Sequence, residues 1–446
     1  MTAVVATLAI AALVGLAVAL ALDPSARGAR LVALAIPFGI AGCALAVGAL
    51  SAIGVPWSRA SAAGAAAILF VVAAAAAIAR RRTRGDAVPR EAARSGPVAW
   101  ALAAATAALV AGHAVYATLA PPGEWDFWAI WGLKAKVFHE VAAIDWQWLQ
   151  RPANQFAHPD YPLLLPLAYD FVASLAGWWP ERQLGLLFTA FAASVLLIAA
   201  VHVREASGSG LLAVAGAFAI AGPVLNLPGA LGLADLPLLA FGTIALLELR
   251  SAIVDGRSER RGVAAAALVC AAMTKNEGIA LVVAAALATI AAGGARRWRL
   301  QVVFVPAALA ALGWILAGRA HGLGNDLFVG DVIARIGASA REPRVILQNL
   351  AANAPRYPLF WIAAVLAIAI AGARRLARER FLLVAVALQL AFFLAAYLIT
   401  PHDVAWHIAS SWPRLVGQLI APVAFLAILF AGDAFAERKR ASAPPG

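Results

Sequence analysis

Charge is the first thing this sequence lacks. Of its 446 residues only 13% are Asp, Glu, Lys or Arg, while 63% are hydrophobic; a soluble domain carries about a quarter charged residues. With a mean hydropathy of +0.84, that deficit excludes a soluble globular chain and points to a polytopic membrane protein. Cysteine is scarcer still. Cys43 and Cys270 both lie inside apolar runs, so they provide no disulfide framework and no spaced metal set, and the redox compartment is not readable from them. Met1-Thr2-Ala3 puts no basic stretch ahead of the first apolar run, so residues 3–22 are expected to be a retained span and not a cleaved signal. P-loop, metalloprotease and nucleophile-elbow spacings are missing, as is any repeat of fixed period. His113, His139, His202, His321 and His407 are scattered without ligand spacing. The net charge of +12 comes with no basic-aromatic module, which argues against a nucleic-acid partner.

What the chain has in abundance is apolar runs of the length that crosses a bilayer, roughly 17–25 residues. They are 3–22, 31–54, 62–79, 98–119, 183–203, 211–226, 236–249, 300–318, 357–372, 380–399 and 415–432. The run 263–293 is broken by Thr274-Lys275-Asn276-Glu277-Gly278 and reads as two helices meeting at a polar tip. Segment 162–178 is apolar but carries Pro162, Pro166, Asp170 and Gly177 and leads into Trp178-Trp179-Pro180. If it does not span, about two thirds of the 35 lysines and arginines fall in loops on one face; if it does, they divide almost evenly. The bias of basic residues toward cytoplasmic loops favours the first arrangement, with 162–178 re-entrant or lying along the interface. The expected fold is therefore all-α and polytopic. It has about 13 transmembrane helices and a helical, re-entrant or juxtamembrane extracytoplasmic loop, with the N-terminus outside and the basic tail Glu437-Arg438-Lys439-Arg440 inside. Three regions follow: N-terminal helices over 1–97, a module over 98–295 holding the loop 120–182, and C-terminal helices over 296–446. Two further polar segments fall on the outer side. One is 319–356 with Asp331 and Arg335; the other is 400–414 with His402, Asp403 and Arg414.

Polar groups capable of chemistry collect on that outer side. In Pro121-Pro122-Gly123-Glu124-Trp125-Asp126-Phe127-Trp128, an extended segment would aim the side chains of Glu124 and Asp126 the same way. Both could then serve as general base or cation ligand, unless they only solvate a loop leaving the membrane. Trp125, Trp128 and Trp131 also suit an interfacial aromatic belt. Lys134 and Lys136 could meet a lipid phosphate or merely snorkel to the headgroup level. His158-Pro159-Asp160-Tyr161-Pro162 is a rigid turn carrying an imidazole and a carboxylate. Asp235 opens a helix that has Pro237 in its first turn, where it would either offset the helix dipole or serve a site. Lys275 needs an anion, supplied by Glu277 or by a substrate phosphate.

In order and sidedness these motifs resemble the GT-C superfamily of membrane glycosyltransferases, in the style of the protein-mannosyltransferase and aminoarabinose-transferase branch. Glu124-Trp125-Asp126 resembles the acidic motif of that family's first large extracytoplasmic loop, with Asp126 in the catalytic position. His158-Pro159-Asp160-Tyr161-Pro162 resembles its His-Pro stretch, Ala234-Asp235-Leu236-Pro237 its second acid, and Thr274-Lys275-Asn276-Glu277-Gly278 its later lysine turn. The resemblance covers roughly 98–295. It departs from the family in having three helices ahead of the loop-bearing pair where one is common, and in lacking an appended soluble domain. It implies inverting transfer of a sugar from a polyprenyl-phosphate donor to a lipid, glycan or protein acceptor outside a bacterial inner membrane. In that scheme Asp126 and Glu124 are catalytic; His158, Asp160, Asp235, Lys275, Glu277, Lys134 and Lys136 bind substrate; and a divalent cation is optional. The rival expectations are a transporter or lipid flippase, and a structural subunit without activity. A transporter would want paired broken helices near the bilayer midplane, and the sequence displays only the break at 274–278.

Overall fold

The computed structural model describes residues 1–82, 96–227, 231–293, 295–325, 330–341 and 343–441, and among them every regular element is a helix. The first four are α1 (Thr2–Leu22), α2 (Gly28–Ala52), α3 (Arg59–Arg82) and α4 (Pro97–Leu119). The loop after α4 follows, with a π-turn at Phe127–Trp131, α5 (Gly132–Val141), α6 (Trp146–Gln150) and α7 (Leu164–Ala176). The middle of the chain forms α8 (Gly185–Ser207), α9 (Gly210–Leu225), α10 (Asp235–Val254), α11 (Arg261–Thr274) and α12 (Asn276–Gly293). It continues through α13 (Val305–Ala320), α14 (Val332–Arg341), α15 (Pro343–Ala352) and α16 (Pro358–Ala369). The last four are α17 (Ala373–Arg378), α18 (Arg380–Ile399), α19 (Val404–Gly417) and α20 (Ile420–Ala441).

Runs of Ala, Leu and Val favour helix locally, and in an apolar medium helix is also the way a single segment can satisfy its own backbone. Nine of the described helices are long and apolar enough to cross a membrane, or ten if the bent pair α19–α20 counts as one span. The remaining apolar runs expected to span are helical but short. α9, α11 and α16 have 16, 14 and 12 residues, below the ~20 needed for a full crossing. Thus the all-helical, multi-span architecture stands, while among the described residues the number of candidate crossings is nine or ten by length and composition.

Helix α10 is the central rod, buried from Asp235 to Ile253. The N-terminal helices are part of the same core. A Cβ on Gly15 of α1 would lie 1.7 Å from the Ala35 carbonyl oxygen of α2, and one on Gly39 would lie 1.8 Å from that of Ala11. The two backbones therefore touch, as small residues permit in apolar surroundings. Segment 162–178 contains α7, which is buried on all sides apart from Leu175. This overturns the option of a helix lying along the interface, which would leave one face outside the protein. At 13 residues α7 is a short helix set into the bundle. Arg59 of α3 caps its C-terminal end, with Nε donating to Leu175 O (3.1 Å) and Nη2 to Ala176 O (2.7 Å). Segments 319–356 and 400–414 are largely helical (α14, α15 and α19) where the sequence suggested loops.

The basic loops do meet at one end of the bundle. Arg30 forks onto Glu248 (3.0 and 2.9 Å) and reaches Asp23 (2.7 Å). Arg260 bridges Glu248 and Glu205. Arg250 joins Asp255 and Glu379. Glu248 lies 13 residues along α10 from Asp235, roughly 20 Å at 1.5 Å per residue. The rod therefore has one charge cluster at each end, and the candidate chemistry surrounds the Asp235 end.

Candidate functional site

Asp126 owes its position to the residue after it. Phe127 is buried edge-on to Tyr169 (centroids 5.9 Å), in a slot that two glycines keep open. A Cβ on Gly132 would lie 2.7 Å from the Phe127 ring, and one on Gly232, at φ +102°, would lie 2.9 Å from it. Tyr169 Oη closes the slot by donating to Gly232 O (3.0 Å). Asp126 itself is helical (φ −64°, ψ −26°) and leads into the π-turn. The extended geometry expected for Glu124–Asp126 is therefore wrong. Both residues nevertheless line one cavity, because Glu124 sits at the mouth of the turn and accepts from Phe127 N through its carbonyl (3.0 Å).

That cavity, about 1560 Å³, is lined by Glu124, Asp126, His158, Asp160, Lys275 and Glu277. Six of the nine candidate residues, drawn from three distant stretches of chain, share it. Asp235 lies directly behind its wall, fully buried. The volume exceeds the ~300–1,000 Å³ of an ordinary small-molecule pocket. One side is apolar, built from Ile279 and Ala280 of α12, Ile315 of α13, and Phe392, Ala396 and Ile399 of α18. Ile315 is 42% exposed, so this wall continues onto the outside of the bundle.

Lys275 is the extended residue between α11 and α12. Its turn depends on Gly278, where a Cβ would lie 1.8 Å from Ala271 O. The ammonium contacts Glu277 at 2.7 Å and Asp235 at 3.5 Å. Burial alone would favour neutral Lys275, but the Asp235 and Glu277 carboxylates outweigh it and hold its pKa above the ordinary lysine value.

The residue that joins the acids was not among the candidates. Arg414 of α19 lines the cavity and places Nη2 at 2.8 Å from Asp126 Oδ2 and 2.9 Å from Asp235 Oδ2, with Nε at 3.1 Å from the same Asp235 oxygen. Gln418 Nε2 donates to Asp235 Oδ1 (2.7 Å). Asp235 thus gathers an arginine, a lysine and a glutamine, which is far more than offsetting a helix dipole. Close packing positions Arg414: a Cβ on Gly417 would lie 2.2 Å from Leu227 Cδ1, and α19 bends by 50° into α20 just beyond. The sequence signal was an arginine in the polar segment 400–414, at the edge of the apolar run 415–432.

The His158–Pro162 turn is held as a unit. His158 adopts φ +49°, an uncommon conformation for a side-chain-bearing residue. Its ring stacks on Tyr161 (4.7 Å, 14°). Asp160 accepts from Asn276 Nδ2 (2.9 Å) and Asn325 Nδ2 (2.7 Å), and Trp314 Nε1 donates to its carbonyl (2.7 Å).

Lys134 and Lys136 do not join the site. Lys136 is exposed and Lys134 fully buried, and neither lines the cavity. Lys134 Nζ donates to His158 O (2.8 Å) and lies 5.2 Å from the Trp131 ring and 5.7 Å from that of Tyr161. Burial lowers its pKa to about 7, against the pull of Asp160. Its role is to brace the turn from behind, not to meet a phosphate. As for the optional cation, no group of three or more His, Cys, Asp or Glu side chains among the described residues is placed to hold a metal ion.

Set against family models, curated proteins and solved structures, the chain matches none. The functional reading therefore rests on the cavity itself.

Proposed function

We propose that the protein transfers a sugar from a polyprenyl-phosphate donor to an acceptor hydroxyl at the extracytoplasmic face of a bacterial inner membrane. The observation that carries this is the convergence of Asp126, Lys275 and Arg414 on one cavity with an apolar wall, with Asp235 buried behind them. Carboxylate, cation and lipid-compatible surface are what such a reaction requires together. In this reading the apolar wall takes the polyprenyl chain. Lys275 and Arg414 face the phosphate and stabilise the charge it gains as the sugar–oxygen bond breaks, the kind of contribution that often dominates catalysis. Asp126 accepts the acceptor proton, a role worth about 10²–10⁴ in rate, and the hydroxyl attacks the anomeric carbon with inversion. Glu124, Asp160 and Glu277 border the acceptor side.

One observation favours a second reading, a transporter or flippase for the same lipid. Two helices break beside the cluster, α11–α12 at Lys275 and α19–α20 at Gln418, and discontinuous helices around a charged site are a transporter device. Purified protein offered labelled polyprenyl-phosphate sugar and candidate acceptors separates the two, because a transferase consumes the donor and a flippase only moves it. Asp126→Asn is expected to fold and insert normally and to lose at least about 100-fold in transfer. Wild-type turnover in that variant would remove Asp126 from the mechanism.

A further inference from the structure

The charged cluster at the cavity wall has an excess of negative charge. Lys275 and Arg414 face Asp126, Asp235 and Glu277, each within 3.5 Å of at least one of them. That is two cations against three carboxylates. A phosphate ester, itself carrying one to two negative charges, gains nothing by adding to such a set, so an anion binds here only by exchange. The two carboxylates on Arg414 are not equally able to leave. Asp235 is 0% exposed, lies behind the wall, and is held by Arg414 through two nitrogens, by Gln418 and by Lys275. Asp126 is 23% exposed, lines the cavity, and touches Arg414 through one nitrogen.

We infer that Arg414 is the phosphate-binding residue of this cavity and that bound phosphate replaces Asp126 on its guanidinium. The inference rests on reading the cavity as a site for a phosphate-bearing substrate. It adds an order of events. Without phosphate, Asp126 Oδ2 is held by Arg414. With phosphate bound, that oxygen is released toward the cavity, and Asp235 keeps Arg414 in place throughout. Donor binding and exposure of the base thereby become one exchange.

The test is a binding measurement with a counter-intuitive sign. Affinity is measured by titration calorimetry for two probes, inorganic pyrophosphate and a short isoprenyl monophosphate in matched detergent, on wild type, Asp126→Asn and Asp145→Asn. Asp145 caps α6 at Trp148 N (2.8 Å) and does not line the cavity, so it reports the effect of one charge lost elsewhere. Asp126→Asn is expected to bind phosphate roughly tenfold or more tightly than wild type, because the competing carboxylate is gone, while Asp145→Asn stays at the wild-type value. Tightening for both probes assigns recognition to the phosphate, and tightening for the isoprenyl probe alone adds the lipid chain as a requirement. Either supports the exchange. Unchanged or weaker binding of both probes in Asp126→Asn overturns it. Arg414→Gln should weaken binding at least tenfold, but it also strips Asp235 of a partner, so the Asp126 variant carries the test. A protein that shows the tightening yet never consumes donor loses the transferase reading and keeps this one. Wild-type transfer together with unchanged Asp126→Asn affinity does the reverse.

Discussion

Asp235→Asn takes one negative charge from the point where two cations meet. Removing one partner from a buried ion pair costs about 3–5 kcal/mol. The cost here is smaller, because each cation keeps a second carboxylate: Lys275 keeps Glu277 at 2.7 Å and Arg414 keeps Asp126 at 2.8 Å. The asparagine oxygen still accepts one hydrogen bond, so a loss of about 1.5–3 kcal/mol is expected. The assay is thermal unfolding of the purified protein in one detergent at one scan rate, since unfolding of such proteins is often irreversible. The double variant Asp235→Asn/Lys275→Gln should lose about 1 kcal/mol less than the sum of the two single effects, a coupling expected of groups in direct contact. A single variant as stable as wild type, or a double variant that loses the plain sum of the two single effects, would refute the claim that Asp235 is the counter-ion of this cluster.

The buried lysine gives a pH test. Above about 7 folded Lys134 is neutral, whereas in the unfolded chain it stays charged up to its ordinary 10.5. The folded state then binds fewer protons, so this group's contribution to stability rises with pH across that window, by at most about 1.4 kcal/mol per unit, and is flat and least favourable below it. Lys134→Met should remove that rise, visible as a wild-type-minus-variant difference in melting temperature that grows from pH 7 to 10; a constant difference would refute it. Gly278→Val puts a carbon where 1.8 Å separates it from Ala271 O. It should cost about 1–3 kcal/mol or more, read as lower folded yield and earlier melting, and normal behaviour would mean the turn at Lys275 is less tight than described. Cys43 and Cys270 are both buried, so single cysteines can report sidedness. Trp125→Cys should react with an impermeant maleimide from outside, and Ser258→Cys only after permeabilisation; equal labelling would refute the topology.

Much of this was legible from residue order. Helices and polar interruptions follow from hydropathy, and the grouping of the basic loops anticipated the network in which Arg30, Arg260 and Arg250 share one end of α10. Glu124, Asp126, His158, Asp160, Lys275 and Glu277 were likewise grouped by the expectation that they share one side of the membrane, and they line one cavity. Three things were not legible, each for a physical reason. The two-residue period of an extended segment was assigned to Glu124 and Asp126, but burial of Phe127 in its glycine-lined slot forces a helical turn. Lys134 sits on a short amphipathic stretch that looks surface-bound, and only the fold shows the aromatic rings and the His158 carbonyl closing over it. Arg414 pairs with Asp235 from 179 residues away; no local pattern marks a contact made by tertiary packing, and an arginine at the edge of an apolar run looks like any headgroup anchor.

The wall formed by Ile279, Ile315, Phe392 and Ile399 has a practical consequence for anyone purifying the protein. On the proposed reading this wall takes a lipid chain, and a surfactant with an alkyl tail, present in vast excess, competes for it. Transfer measured in micelles should then fall with the length and concentration of the tail, as with an ordinary competitive inhibitor, and reconstitution into nanodiscs should restore it.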